Sequence, residues 1–132
     1  MLQLLRTNSG NSDFLELIRL LDADLAIRDG EDHSFYSQFN KIDDIKYVVL
    51  AHENHKSVGC GAIREYSPGI MEIKRMFVLP ETRGKGIATT ILAELERWAI
   101  ELSYTQCILE TGYMQPEAIG LYQKNGYKPV PN

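Results

Sequence analysis

Six consecutive residues, Arg83-Gly84-Lys85-Gly86-Ile87-Ala88, place two full positive charges beside two glycines one residue apart. They follow a β-rich run stopped by Pro80 and precede a long amphipathic run. A helix starting there leaves its first backbone N–H groups unpaired and pointing forward, and its dipole adds partial positive charge. Glycines let a ligand approach the backbone. The combination suits a phosphate or pyrophosphate. The spacing fits neither GxxxxGK[ST] nor GxGxxG, because Gly84-x-Gly86 leads to Thr89. An ordinary strand-to-helix turn could use the same residues, so the flanking elements decide.

The spacing predicts a strand at 2–6, a turn at Thr7–Ser12, and a helix at about 13–28 on Phe14, Leu17, Ile18, Leu21 and Leu25. Asp13 with Glu16 is a candidate capping pair. Residues 29–45 are vague; Phe35, Tyr36 and Phe39 suit either core or a short helix beside a pocket. Strands follow at 46–51, 57–64 and 71–79, with a polar hairpin loop at His52–Lys56 and a turn at Ser67-Pro68-Gly69. Gly59 and Gly61 weaken a strand interior, which predicts something bulky packed closely on it. Ile87, Ile91, Leu92, Leu95, Trp98, Ala99 and Leu102 form one apolar stripe, giving a helix at about 86–103. A strand at 106–111, a helix at 116–125 opened by Pro116, and an extended segment from Tyr127 complete the order β-α-(α)-β-β-β-α-β-α-β. The expectation is one α/β domain over residues 1–132, a mixed, mostly antiparallel sheet with helices on both faces.

Arg83-x-x-Gly86-x-Ala88 fits the R/Q-x-x-G-x-G/A signature of the GNAT acetyltransferases, and the chain resembles that family. Leu79-Pro80 before the signature, the amphipathic helix after it, and Ala118-x-x-Leu121-Tyr122-x-x-x-Gly126-Tyr127 match the family in order. The resemblance covers about residues 58–130 and implies the acyl-CoA N-acyltransferase fold, with acetyl-CoA as acyl donor. It implies that backbone N–H groups from Arg83, Gly84, Lys85, Gly86, Ile87 and Ala88 hold the pyrophosphate. Backbone groups of Met76, Phe77 and Val78 would pair with the pantetheine arm and orient the thioester carbonyl. A bulge in that strand would splay it from the strand at 106–111. Tyr122 would protonate the departing thiolate, or else is a packing residue. Glu72, six residues before Val78, would be the general base, or else lies on a solvated face. Gln115 stands where the family often has an Asn that bonds the pantetheine chain.

Those roles agree with the chemistry. An ammonium acceptor must lose a proton before it attacks, and a carboxylate can take it. Strand N–H groups can stabilise the oxyanion. The expected reaction is direct acetyl transfer to a primary amine of a small molecule, or a protein amine. The alternative is a non-catalytic acyl-CoA-binding module. A nucleotide-binding regulatory domain is a further rival, against which the absent loop signatures count. Glu110 and Thr111 suit acceptor contact or a turn.

The net charge of −4 argues against a nucleic-acid binder, while Lys74, Arg75, Arg83 and Lys85 allow a local cationic pocket. No apolar run has membrane-spanning length and no signal peptide is visible, so the expectation is no membrane and a cytoplasmic location. Cys60 and Cys107 are expected as buried, reduced thiols in strands, and His33, His52 and His55 as loop residues with no metal set. Family precedent favours a homodimer. The short stretch after Tyr127 implies that a final strand is missing or that a partner covers the edge.

Overall fold

The computed structural model describes residues 2–29 and 45–109, the side chains of 24–29 excepted. The expected helix at 116–125, the extended end, and the aromatic segment at Phe35–Phe39 lie outside the described residues. Within them the chain runs β1 (Leu2–Thr7), α1 (Ser12–Asp29), β2 (Tyr47–Glu53), β3 (Lys56–Ser67), β4 (Ile70–Val78), a 3-10 turn (Pro80–Thr82), α2 (Ile87–Glu101) and β5 (Gln106–Leu109).

The strands form one sheet in the order β1-β2-β3-β4-β5. The first four are antiparallel, and β4 pairs with β5 in parallel, Ile70 opposite Gln106 through Ile73 opposite Leu109. A meander needs only tight turns, whereas the parallel step needs a crossover, which α2 supplies. The β2–β3 turn is shorter than the predicted loop. It is the two residues Asn54 and His55, both at positive φ (53° and 66°), which suits the twist of a two-residue hairpin.

The helices lie on opposite faces. A Cβ added at Gly59 would meet Ile91 of α2 at 3.0 Å, and one at Gly61 would meet Met76 Sδ at 2.5 Å and Leu95 at 2.8 Å. The bulky neighbour expected over these glycines is therefore α2. Its buried face is Ile87, Ile91, Leu92, Leu95 and Ala99. Side chains alternate across a strand, so Cys60 and Ala62 point to the other face. There Phe14, Leu17 and Ile18 of α1 are fully buried, and α1 packs on β3 and β4. Each such side chain contributes about 1.5–3 kcal/mol on burial.

α1 is capped differently from the expectation. Asn11 Oδ1 accepts from the N–H groups of Asp13 (2.8 Å) and Phe14 (3.2 Å), while Glu16 pairs instead with Arg19. Asn one step before the helix satisfies the orphan donors directly. At the other helix, Arg6 of β1 ties down α2. Its Nε donates to Glu94 at 2.9 Å, its Nη atoms grip Glu101 at 2.9 and 2.8 Å, and its guanidinium lies 4.8 Å from the Trp98 ring.

Candidate active site

β4 delivers the chain to the start of α2 through a compact turn. Thr82 N–H and Oγ1 both donate to Leu79 O at 2.9 Å, closing the 3-10 turn. Gly84 and Gly86 then adopt left-handed φ of 86° and 76°, and Gly86 is the N-cap of α2 with no side-chain cap. Nothing lies within 4 Å of a Cβ built at either glycine, so the space before them is open. Glycine is required here by backbone conformation rather than crowding. The first turn of α2 carries no acidic residue. An open helix N-terminus with forward-facing N–H groups can hold an anion.

The two cations of this loop have protein partners. Arg83 Nε donates to Val78 O at 3.0 Å and its guanidinium lies 5.8 Å from the Phe77 ring. Arg83 thus turns back and fastens the loop to β4. Lys85 Nζ lies 3.5 Å from Glu53 Oε1 at the end of β2.

β4 itself is interrupted. Its register with β3 shifts between Cys60 and Ala62, so that Arg75 and Met76 together oppose Gly61, and Arg75 sits at φ 59°. This is a β-bulge, which bends a strand and increases its twist. The described pairing of β4 with β5 ends at Ile73, before the bulge. Beyond it Leu79 N–H donates to Val58 O at 2.8 Å. Alternation along an antiparallel ladder then turns Phe77 toward β3 and Val78 away from it. The Arg83 bond to Val78 O agrees with that orientation.

Glu72 and Lys74 occupy the α1 face of β4, since they stand opposite Arg64 and Ala62. Lys74 Nζ lies 3.6 Å from Glu72 Oε1, and the carboxylate side chain is only 14% exposed. The structure thus places Glu72, Met76, Phe77, Val78 and the loop from Arg83 to Ala88 on one strand and the turn that leaves it. Gln115, Tyr122, Glu110 and Thr111 lie outside the described residues.

Three residues meet at the bulge, of which the sequence offered only Arg75 for the site, as part of a cationic pocket. Arg75 is buried, with Nη1 3.7 Å from Asp22 Oδ1 of α1, and Cys60 Sγ donates to Arg75 O at 3.3 Å. The charge run at 74–75 noted Arg75 as a cation, but no glycine marked its left-handed position. Burial pushes the Cys60 thiol up to about 12, and Cys107 is half-buried and also raised by burial. Both are free thiols in strands. Among the described residues no group of three His, Cys, Asp or Glu is arranged for a metal, and no helix is long and apolar enough to cross a membrane.

The profile of a family described as an acetyltransferase (GNAT) domain matches residues 44–129. An IAA acetyltransferase of Azospirillum brasilense is 40% identical over 85 residues, 64% of this chain and 55% of that protein. This chain spans about half the length of the curated relatives it matches. Among solved structures, a Klebsiella pneumoniae protein classed as an acyl-CoA N-acyltransferase superposes with a TM-score of 0.79 at 28% identity, covering 97% of this chain and 83% of that one. A Clostridium acetobutylicum protein classed as an acetyltransferase and solved with acetyl-CoA has the same fold, with a TM-score of 0.70 at 19% identity, covering 98% and 92%.

Proposed function

We propose, because this chain belongs to the GNAT acetyltransferase family, that it transfers an acetyl group from acetyl-CoA to a primary amine by direct attack. The observation that carries this reading is the open, doubly left-handed turn at Gly84 and Gly86, set between a bulged strand and the N-terminus of α2. The pyrophosphate sits on the N–H groups of Gly84 to Ala88; the Arg83 N–H, expected to join them, donates instead to Pro80 O at 3.3 Å. The pantetheine arm runs along β4 past Val78, Phe77 and Met76, with Gln115 as a further contact. The acetyl-CoA bound to the C. acetobutylicum fold relative supports that choice of donor.

Glu72 is the general base. It takes a proton from the acceptor ammonium, directly or through water, so that the neutral amine attacks the thioester carbonyl. Backbone N–H groups of β4 stabilise the oxyanion. The C–S bond then breaks, Tyr122 gives its proton to the thiolate, and the nitrogen releases its second proton, which restores the tyrosine as the amide forms. No covalent enzyme intermediate and no metal take part. The acceptor is a small amine, with a protein amine as the alternative. The protein acts as a cytoplasmic homodimer.

The Glu72–Lys74 ion pair favours a second reading, a non-catalytic acyl-CoA-binding module, because the carboxylate already has a partner within the protein, 3.6 Å away. Release of CoA thiol from acetyl-CoA in the presence of a panel of small amines and N-terminal peptides separates the two. Amine-dependent release that falls sharply in Glu72→Gln supports the transferase. Acetyl-CoA binding without acetylated product supports the module.

A further inference from the structure

The bulge in β4 is built from an unusual residue. Left-handed φ is costly for any residue with a Cβ, and Arg75 holds 59° in the middle of a strand. Two contacts of Arg75 and a glycine on the facing strand accompany that conformation. Its side chain is 5% exposed and its Nη1 lies 3.7 Å from Asp22 Oδ1 of α1. Its carbonyl accepts from the Cys60 thiol at 3.3 Å. Gly61 opposite leaves the space that Met76 fills, since a Cβ there would stand 2.5 Å from Met76 Sδ.

The Arg75 guanidinium is buried within ion-pair range of the Asp22 carboxylate, and a charge left alone in the interior is unfavourable, so the pair favours this arrangement. Arg75 is covalently the first residue of the bulge, so fixing its side chain also fixes the peptide that leads into Met76, Phe77 and Val78. Asp22 supplies the anchor from a helix on the far side of the sheet from α2. We propose that Arg75 is a positioning residue: its ion pair with Asp22 holds the β4 bulge in the conformation that aims the following backbone groups at the pantetheine and thioester. The proposal rests on the acetyl-CoA reading of that strand. It gives Arg75 no contact with substrate and separates two parts of the donor site. The loop at Gly84 and Gly86, tied to β4 through Arg83 and Val78 O, holds the phosphates, whereas the backbone that directly follows Arg75 holds the arm and the acyl group.

The test uses two ligands in calorimetric titrations, acetyl-CoA and adenosine 3′,5′-bisphosphate, which carries the 3′-phosphate and the first of the two 5′-phosphates but no pantetheine. Arg75→Ala keeps the Cβ that makes left-handed φ costly and removes the anchor. It is expected to weaken acetyl-CoA on the order of tenfold, the ratio given by about 1.4 kcal/mol, and to leave the bisphosphate unchanged. Arg75→Lys keeps a cation within reach of Asp22 and should restore most of the loss. Should Arg75→Ala not fold, Asp22→Asn carries the same expectation. It is isosteric, and that side chain is 40% exposed. Equal weakening of both ligands, or unchanged acetyl-CoA binding, would overturn the proposal. A wild-type chain that binds the bisphosphate but not acetyl-CoA would overturn the donor reading, and this proposal with it.

Discussion

Gly86 carries most of the chemistry of the turn in one dihedral angle. At φ 76° a Cβ meets no neighbour, so the cost of substitution is conformational. Gly86→Ala should lose about 1–2 kcal/mol of stability, the cost of a left-handed L-residue, measurable by urea unfolding. Glu72 makes the complementary prediction. Its carboxylate lies 3.6 Å from Lys74 Nζ, on β4 and not in the phosphate loop. Glu72→Gln is therefore expected to lower kcat by about 10²–10⁴, the usual worth of a general base, while acetyl-CoA affinity stays the same. Cys60 should be silent: buried and with its thiol pushed up to about 12, it should resist alkylation at pH 8 in the folded protein and react once unfolded.

The elements differ in how plainly the sequence announces them. The α2 stripe is legible because Ile87, Ile91, Leu92, Leu95 and Ala99 recur at helical spacing and are all buried. Gly59 and Gly61 announce a close neighbour because little else explains two glycines inside a strand. The hairpin at Asn54-His55 is harder to read, since a two-residue turn of this kind usually shows Asn-Gly and here His55 takes the second positive φ. The bulge was expected in β4 from resemblance, but its position was hidden. A buried arginine at left-handed φ has no local signature and depends on Asp22, more than fifty residues away. Two of the proposed site residues, the acid Tyr122 and the pantetheine contact Gln115, lie beyond the described residues.

Packing between elements gives two further expectations. Leu95 is fully buried beneath α2 and over Gly61. Leu95→Ala should cost about 2–5 kcal/mol by leaving a cavity, read as a lower denaturant midpoint. The Arg6 clamp should be sensitive to acid. Hydrogen bonds from Arg6 hold the Glu101 carboxyl below its ordinary 4.5. Its contribution is thus present above about that pH and is lost as pH falls through the depressed folded value. Arg6→Ala should therefore lower Tm at pH 7, with the difference from wild type shrinking as the medium is acidified below pH 4.5.

At the scale of the molecule, the described residues run through an antiparallel meander, a crossover helix and a parallel strand, which put the bulge, the turn and the N-terminus of α2 in succession. That succession makes an acyl-CoA site the economical interpretation of an acidic chain in which the nearby cations Lys85, Lys74, Arg75 and Arg83 are tied to Glu53, Glu72, Asp22 and Val78. The most direct test is thermal unfolding with acetyl-CoA, with ATP and NAD as controls. At about 100 times its Kd, a ligand specific for the folded state adds about 2.7 kcal/mol. A clear rise in Tm with acetyl-CoA alone, abolished in Gly86→Glu, is the expected result. No rise with acetyl-CoA, or an equal rise with ATP or NAD, would contradict the assignment of this turn to the acyl donor.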